Sequence, residues 1–352
     1  MILTEKQSEL IRKLPKAELH LHLQGAIHPE MAAELGRKNG VELPATDPKT
    51  GFYSYADLGE FLDIYNGISA SVVTLDDFHR ITYDMLKHAA DHGARYVEYF
   101  ISPHAHKGVP YDIQFDGMHK GMADAETDFG IVSAFIPGIN RELGPAAGEE
   151  YLDKILELRT DKLVGLGLDY LEAPYPPGPF AKVYARAKRN GLKLCAHSGE
   201  SGPVENIWVS LDELMVDRID HGYNVIHDLK LVKRCIDQKI MYTVTPSSTA
   251  YTTPHRDMKA STHPIRKMNE AGMVLTINTD DPPFFQTNLT KEFEIALSDL
   301  GFSLADIRKS IINSIEHSWA DETLKKTWLE EWTPEIDNII KQLQPELEPS
   351  DN

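Results

Sequence analysis

The sequence predicts an α/β protein in which a (β/α)₈ barrel forms a single domain. Three observations support this fold class. Eight short apolar segments follow one another, amphipathic helical segments separate them, and the chain is long enough for a barrel with insertions. Such a barrel needs about 250 residues, and the chain has 352. Strands that alternate with helices favour parallel βαβ units.

The candidate strands are rich in β-branched and aromatic residues and seldom alternate with polar ones. This pattern is expected of strands that are covered on both faces. They are Ala17–Leu23, Tyr96–Ser102, Ile131–Ile139, Leu163–Leu171, Leu192–Gly199, Arg218–Val225, Ile240–Ser248 and Met273–Asp281. A doubly wound open sheet is the alternative, but Leu23-Gln24-Gly25-Ala26 after the first strand lacks a glycine-rich phosphate loop.

Helical periodicity fills the segments between the strands. Phe78, Ile81 and Met85 form one apolar stripe in Asp76–His92, and Thr74 is a candidate N-cap. Similar patterns occur at Tyr151–Arg159, Phe180–Asn190, Ile207–Met215 and Leu229–Asp237. We expect the barrel over about residues 12–317 and a C-terminal helical extension over about residues 318–345. The long segment after the first strand, residues 28–92, is predicted as a helical insertion that either packs on the core or covers the barrel mouth.

The composition of the chain limits which kinds of binding partner we expect. The formal charge of −18 disfavours nucleic acids and anionic membranes, and a small neutral or cationic ligand fits better. No apolar run approaches the roughly 20 residues that span a bilayer, and the N-terminus does not resemble a secretory signal. Only two cysteines occur, which favours a reducing compartment and predicts a cytoplasmic protein. The sequence leaves the oligomeric state open, with a homo-oligomer as one possibility.

Histidines mark two of the predicted strand ends. His20 and His22 are two residues apart, so on a strand their imidazoles face the same side and suit a transition metal. His197 is a candidate third nitrogen ligand, and Glu200 follows it over the mouth. Taken singly, each motif is explained as well by a core histidine or a solvated loop.

Carboxylates mark two further strand ends. Asp280 and Asp281 end an apolar strand, where burial is costly unless a cation or specific donors compensate their charge. Asp220 and His221 end another strand. Ligand-type residues thus occur at the C-terminal ends of strands one, five, six and eight, which is where barrel enzymes place catalysis.

Three further sequence features concern the kind of metal site. His104 and His106 form a second His-x-His pair, but they follow a proline in a loop, so we expect no direct metal contact from them. The fourth strand lacks a lysine that could bridge two metals, and although Asp169 or Glu172 could take that place, one metal is the simpler interpretation. The absence of Cys-x-x-Cys excludes the zinc deaminase design that uses Pro-Cys-x-x-Cys ligands.

Together the motifs resemble the adenosine/adenine deaminase family of the amidohydrolase superfamily. The resemblance runs from about residue 12 to residue 317, and it is carried by Ala17–Leu23, His197–Glu200, Asp220–Gly222 and Asn278–Pro282. It implies one Zn²⁺ per subunit, held by His20, His22, His197 and Asp280. Such a metal lowers the pKa of a bound water from 15.7 to about 7.

The same resemblance assigns catalytic roles. It implies that His221 orients and deprotonates the water that attacks C6 of a 6-aminopurine, that Glu200 protonates ring N1, and that Asp281 hydrogen-bonds N7. Glu200 would then need a pKa raised by an apolar surrounding. We expect Asp281, Tyr170, Gln24 and Gly167 to contact the substrate.

Departures from the family pattern favour a free base such as adenine. Gln24 replaces the acidic residue that in adenosine deaminases contacts the ribose, and Tyr170 replaces a small residue near purine N3. The run Gly165–Asp169 resembles the adenine deaminase branch more closely. Adenosine and N6-substituted adenines stay as alternatives, as do a metal hydrolase of lactones or amides and a barrel that binds a purine without catalysis.

Overall fold

The computed structural model describes residues 3–347, with side-chain surroundings through residue 344. Eight parallel strands follow one another in chain order, and each pairs with the next. They are β1 (Lys16–Glu18), β2 (Ala94–Ile101), β3 (Val132–Asn140), β4 (Gly165–Asp169), β5 (Lys193–Ser198), β6 (Arg218–His221), β7 (Met241–Val244) and β8 (Val274–Ile277). The predicted barrel is confirmed.

Helices surround the strands and fill the segment between β1 and β2. They are α1 (Glu5–Lys13), α2 (Pro29–Asn39), α3 (Leu58–Ser69), α4 (Leu75–Asp91), α5 (Tyr111–Phe129), α6 (Gly144–Glu157), α7 (Ala181–Arg189), α8 (Val204–Asp212), α9 (Leu229–Asp237), α10 (Pro246–Thr252), α11 (Pro264–Glu270), α12 (Leu289–Ser298), α13 (Leu304–Glu316) and α14 (Glu322–Leu347). Within residues 3–347 no helix has both the length and the apolar character needed to cross a membrane.

The helix predictions hold in detail at α4. Thr74 is its N-cap and forms a capping box with Asp77. The predicted stripe of Phe78, Ile81 and Met85 is buried. Apolar periodicity therefore predicted both the existence of this helix and the face that it packs against the barrel.

The barrel closes between β8 and the segment that follows β1. The backbone N–H of His22 donates to the Asp280 carbonyl at 2.9 Å, and the N–H of Asp280 donates to the His20 carbonyl at 3.0 Å. The Leu19 N–H donates to the side-chain oxygen of Asn278 at 2.8 Å. These bonds bring the first and last motifs of the sequence to one point of the barrel mouth.

The predicted first strand, Ala17–Leu23, is wrong beyond Glu18. After Glu18 the chain leaves regular pairing and makes isolated bridges to Asp280, just past β8, on one side and to β2 on the other. His20 and His22 therefore lie on an irregular extended segment. The apolar composition of the segment could not reveal this irregularity, because it arises from pairing with two different neighbours at the same time.

The predicted ends of the sixth and seventh strands, at Val225 and Ser248, are also wrong. His221 and Gly222 have φ values of 65° and 69°, which turn the chain out of β6 into a 3₁₀ turn. Pro246 opens α10, and its missing N–H suits the first turn of a helix better than a sheet ladder. Both strands stop earlier, and the chain that follows lines the mouth.

Candidate active site

The four side chains predicted to bind a metal meet at the C-terminal mouth of the barrel. Nε2 of His20 and Nε2 of His22 lie 3.2 and 3.3 Å from the same Asp280 oxygen, Oδ1. Nε2 of His22 lies 3.2 Å from Nε2 of His197. All four residues are buried, so these electron-rich atoms face one another away from water.

These spacings match a metal site. Nitrogen and oxygen ligands lie about 2.0–2.1 Å from zinc, so the ligand atoms of a tetrahedral site are about 3.3 Å apart. The observed separations of 3.2–3.3 Å agree with that value. Nε2 of His20 has no hydrogen-bond partner among the described residues, so its lone pair is available to a cation. The residues present therefore fit a divalent metal ion.

The tautomer of His20 is set by a hydrogen-bond chain behind it. The Thr243 hydroxyl donates its proton to Asp220 Oδ1 at 2.9 Å. The hydroxyl oxygen must therefore accept from Nδ1 of His20, which lies 2.8 Å away. Protonation at Nδ1 leaves the Nε2 lone pair directed at Asp280. Such partners behind metal-binding histidines fix the ring and raise its basicity.

The Asp220 carboxylate lies close to two of the histidines, His20 and His197. Its Oδ2 lies 3.9 Å from Nδ1 of His197, and its Oδ1 lies 3.6 Å from the buried Arg218 guanidinium. Interactions with His20 and Arg218 outweigh burial and hold the pKa of the Asp220 carboxyl far below its ordinary value. A permanent negative charge therefore lies behind the cluster. Neither Thr243 nor this role of Asp220 was predicted from the sequence.

Glu200 and His221 face each other beside the cluster, with 3.9 Å between Oε2 and Nε2. Burial raises the pKa of the Glu200 carboxyl to about 8, and the Asp280 carboxylate acts in the same direction. Burial also lowers the pKa of His221 to about 3. At neutral pH this pair therefore consists of a protonated acid and a neutral imidazole, which is the division of roles that acid–base catalysis needs.

The two neighbouring aspartates differ in environment. Asp280 accepts from the Ser248 hydroxyl at 2.7 Å, and its interactions with His20 outweigh burial and lower its carboxyl pKa. Burial and the Asp280 charge raise the pKa of Asp281, whose Oδ1 has no hydrogen-bond partner among the described residues. Gly25 allows this arrangement, since a Cβ at position 25 would lie 1.6 Å from that oxygen.

Glu172 holds the loop that carries Glu200. Its buried carboxylate accepts from four consecutive backbone N–H groups, those of Gly199, Glu200, Ser201 and Gly202, at 2.6–3.2 Å. Asn206 donates to it as well, at 2.9 Å. The carboxylate is therefore occupied by loop donors, and the structure does not support the possibility that Glu172 bridges metals.

Helix α3 covers the mouth, and its residues Phe61 and Tyr65 belong both to the buried core and to the cavity lining, so both alternatives for the insertion hold. Phe61 packs on Phe284 with ring centroids 4.9 Å apart. The Tyr55 hydroxyl donates to the Phe284 carbonyl at 3.0 Å. The cavity beneath has a volume of about 50 Å³, far below the roughly 300–1,000 Å³ of ordinary ligand sites. Ligand access therefore requires α3 to move outward.

The structure brings Tyr170 into this cavity but leaves Gln24 and Gly167 outside its lining. The Gln24 amide is occupied by Tyr65, His106 and the Ser102 carbonyl. Gly167 lies against the Phe100 ring, below the cavity. Neither residue borders the closed cavity, and their expected contacts with the substrate stay predictions.

Tyr170 lines the edge of the site, whereas the second His-x-His pair lies outside the cavity lining. The Tyr170 hydroxyl donates to Asn66 of α3 at 2.8 Å, and its ring lies 5.1 Å from His104. His106 contacts the Ser69 carbonyl at 2.8 Å through Nδ1, so it supports α3 and lies away from the cluster. A larger cavity of about 720 Å³ lies beyond His104, but none of the predicted ligand or catalytic residues lines it.

A parallel barrel whose mouth holds three imidazoles and a carboxylate at ligand spacing defines a metal-dependent hydrolase of the amidohydrolase type. The comparisons with known proteins are more specific. The model of the adenosine deaminase family matches residues 15–334, and the chain belongs to this family. The resemblance found in the sequence is confirmed, and the protein is a hydrolase that acts on a carbon–nitrogen bond.

Individual relatives agree with this assignment. An adenine deaminase of Acinetobacter baylyi is 35% identical over 329 residues, covering 92% of this chain and 98% of that protein. An adenine deaminase structure from Arthrobacter aurescens superposes with a TM-score of 0.86 at 34% identity, covering 92% of this chain and 99% of the other. A Burkholderia ambifaria amidohydrolase with bound zinc gives a TM-score of 0.91 at 32% identity, covering 98% and 96%.

The Glu172 contacts generate a prediction about stability. Glu172→Gln replaces a charged acceptor with an amide whose NH₂ group faces backbone donors, so we expect the free energy of unfolding to fall by about 1.5–3 kcal/mol. The exposed neighbour Glu205→Gln is the matched control and should stay within about 0.5 kcal/mol of the parent. Urea unfolding measures both values. A Glu172→Gln protein as stable as the parent would contradict the proposed support of the Glu200 loop.

Proposed function

We propose that the protein is a zinc-dependent deaminase of adenine, which it converts to the 6-oxopurine with release of ammonia. The observation that carries the proposal is a buried set of three imidazoles and one carboxylate at ligand spacing, with the buried Glu200 carboxyl 3.9 Å from His221 beside it. Two adenine deaminases at 34–35% identity that match nearly the whole chain support the choice of substrate.

We assign the metal to His20, His22, His197 and Asp280, one ion per subunit. When bound, zinc lowers the pKa of a coordinated water so that a nucleophile forms at neutral pH. The protein contributes orientation: Thr243 fixes His20, and the Ser248 hydroxyl holds the outer oxygen of Asp280. The zinc-containing relative supports this choice of ion.

The remaining side chains account for the protons of the reaction. The water oxygen adds to C6, which becomes tetrahedral, and the bond from C6 to the amino nitrogen then breaks. Glu200 gives its proton to N1, and His221 takes a proton from the water and passes it to the departing nitrogen. The second water proton restores Glu200. We assign the hydrogen bond to N7 to Asp281, because burial and the Asp280 charge raise the pKa of its carboxyl and so favour the protonated form that donates. These steps turn adenine and water into the 6-oxopurine and ammonia.

The shape of the site favours a free base over a nucleoside. The closed cavity is small, and Tyr170 stands at its edge with its hydroxyl bound to α3. Once α3 has moved outward to admit a purine, a ribose on N9 would still need the room that the Tyr170 ring occupies. Adenosine is therefore the weaker candidate for the same site.

The composition of the chain supports two further proposals. The negative charge of −18 disfavours a polynucleotide substrate, so we assign a free small molecule. Both cysteines, Cys195 and Cys235, are free and buried, as is usual for proteins in a reducing environment. We therefore propose a cytoplasmic location.

The direct experiment mixes the zinc-loaded protein with adenine and follows the 6-oxopurine and ammonia by chromatography and a coupled assay. We expect turnover by the parent, and we expect Glu200→Gln to lower kcat by about 100-fold or more, since the general acid is lost. The exposed Glu205→Gln should keep the parental rate. Absence of adenine turnover in the fully zinc-loaded parent would contradict the proposed function.

The pH profile tests the protonated state of Glu200. Its carboxyl donates only while protonated, so kcat/KM for adenine should decline as the pH rises through its pKa of about 8. The residual rate of Glu200→Gln should lack this alkaline limb. A parental kcat/KM that stays constant between about pH 7 and about pH 10 would contradict the assignment.

A further inference from the structure

A second polar cluster lies at the mouth, on the side of β2 and β4. Asp169 ends β4, lines the cavity and is 4% exposed. Its Oδ2 accepts from the Ser102 hydroxyl at 3.3 Å. Its Oδ1 has no hydrogen-bond partner among the described residues. A buried acceptor that borders a ligand cavity without a partner is costly unless the ligand supplies a donor.

The fold builds room for this carboxylate and leaves it without a cation. Gly138 on β3 lies behind it, and a Cβ there would be 2.1 Å from Asp169 Oδ2. The buried Arg141 donates through Nε to the Asp169 backbone carbonyl at 3.0 Å, and its other bonds also go to backbone carbonyls. Arg141 therefore fixes the end of β4 without neutralising the side chain through a hydrogen bond.

Strand order, combined with the proposed placement of N1 and N7, indicates which edge of a purine faces Asp169. The proposed metal ligands and N7 partner lie on the β1 and β8 side, and Glu200, the proposed N1 partner, follows β5. Going around the six-membered ring from N1 and away from C6 leads to N3 and then to C4, the carbon that is bonded to N9. The strand next to β5 on that side is β4, which carries Asp169.

We propose that Asp169 Oδ1 accepts the N9–H of the free purine base and thereby selects the base against N9-substituted purines. The inference rests on the proposed function, since it takes the placement of C6 and N1 from it. A nucleoside has carbon in place of this hydrogen. It would leave the buried acceptor without a partner, and sites built to bind an N–H strongly reject analogues that lack it.

The test compares adenine with 9-methyladenine, which differs only in the missing N9–H and the added methyl group. For the parent we expect a clear preference for adenine in kcat/KM. Asp169→Ala should lower kcat/KM for adenine by on the order of 10–100-fold while changing the value for 9-methyladenine less than about 3-fold. Asp116→Ala, an exposed aspartate of α5, is the control and should keep the parental preference.

Two further measurements keep the outcomes distinct. Asp169→Asn retains the volume and a carbonyl acceptor, so it should lose a smaller part of the preference, and it replaces Asp169→Ala if that variant does not fold. Calorimetry in the Glu200→Gln background gives the Kd of both purines without turnover. There, adding Asp169→Ala should weaken adenine binding selectively.

The results separate the two proposals. An equal loss for adenine and 9-methyladenine would show a merely structural role for Asp169, and no loss for either would show no role; both overturn the inference. A parent that binds but does not deaminate adenine would contradict the proposed function, while the difference in Kd between the two purines would still decide the role of Asp169.

Discussion

The close approach of lone pairs at the barrel mouth is the constraint on which the rest of the structure depends. Oδ1 of Asp280 lies within 3.3 Å of Nε2 of both His20 and His22, and Nε2 of His22 lies 3.2 Å from that of His197. Away from water, such atoms repel unless a cation or shared protons intervene. A divalent ion placed among them would relieve this repulsion, since the three separations agree with those of a tetrahedral site, and its binding would then contribute to the free energy of folding.

The fold serves this cluster by joining distant parts of the chain through backbone bonds. Closure between β8 and the segment after β1 brings Asp280 to the first histidines. Arg141 donates to the carbonyls of Leu168, Asp169 and His197, which ties the ends of β4 and β5 together. Glu172 then fixes the loop after β5. Separate buried charges thus position the residues that we propose as the acid and the metal ligands, and residues of α3 line the cavity that these residues border.

The sequence predicted the elements that are determined by residues close together in the chain. Apolar runs, helical periodicity and the residues at strand ends predicted the barrel and the convergence of His20 with Asp280. The sequence could not predict features that depend on contacts between distant parts of the chain. β1 ends early, at Glu18, because the residues after it pair both with β2 and with the segment after β8. The Gln24 side chain is occupied by His106 and Tyr65. The support from Glu172 was missed too, although an acidic residue just past a buried strand was a usable signal. The catalytic assignments and the single-domain division stay predictions.

X-ray absorption at the zinc edge of the loaded protein tests the central claim most directly. The account predicts one zinc per chain with only nitrogen and oxygen ligands at about 2.0–2.1 Å and multiple scattering from three imidazoles. His22→Ala should lose most of the metal, whereas His104→Ala, in the other His-x-His pair, should keep it. A sulfur ligand at about 2.3 Å, or full zinc retention in His22→Ala with loss in His104→Ala, would contradict the account.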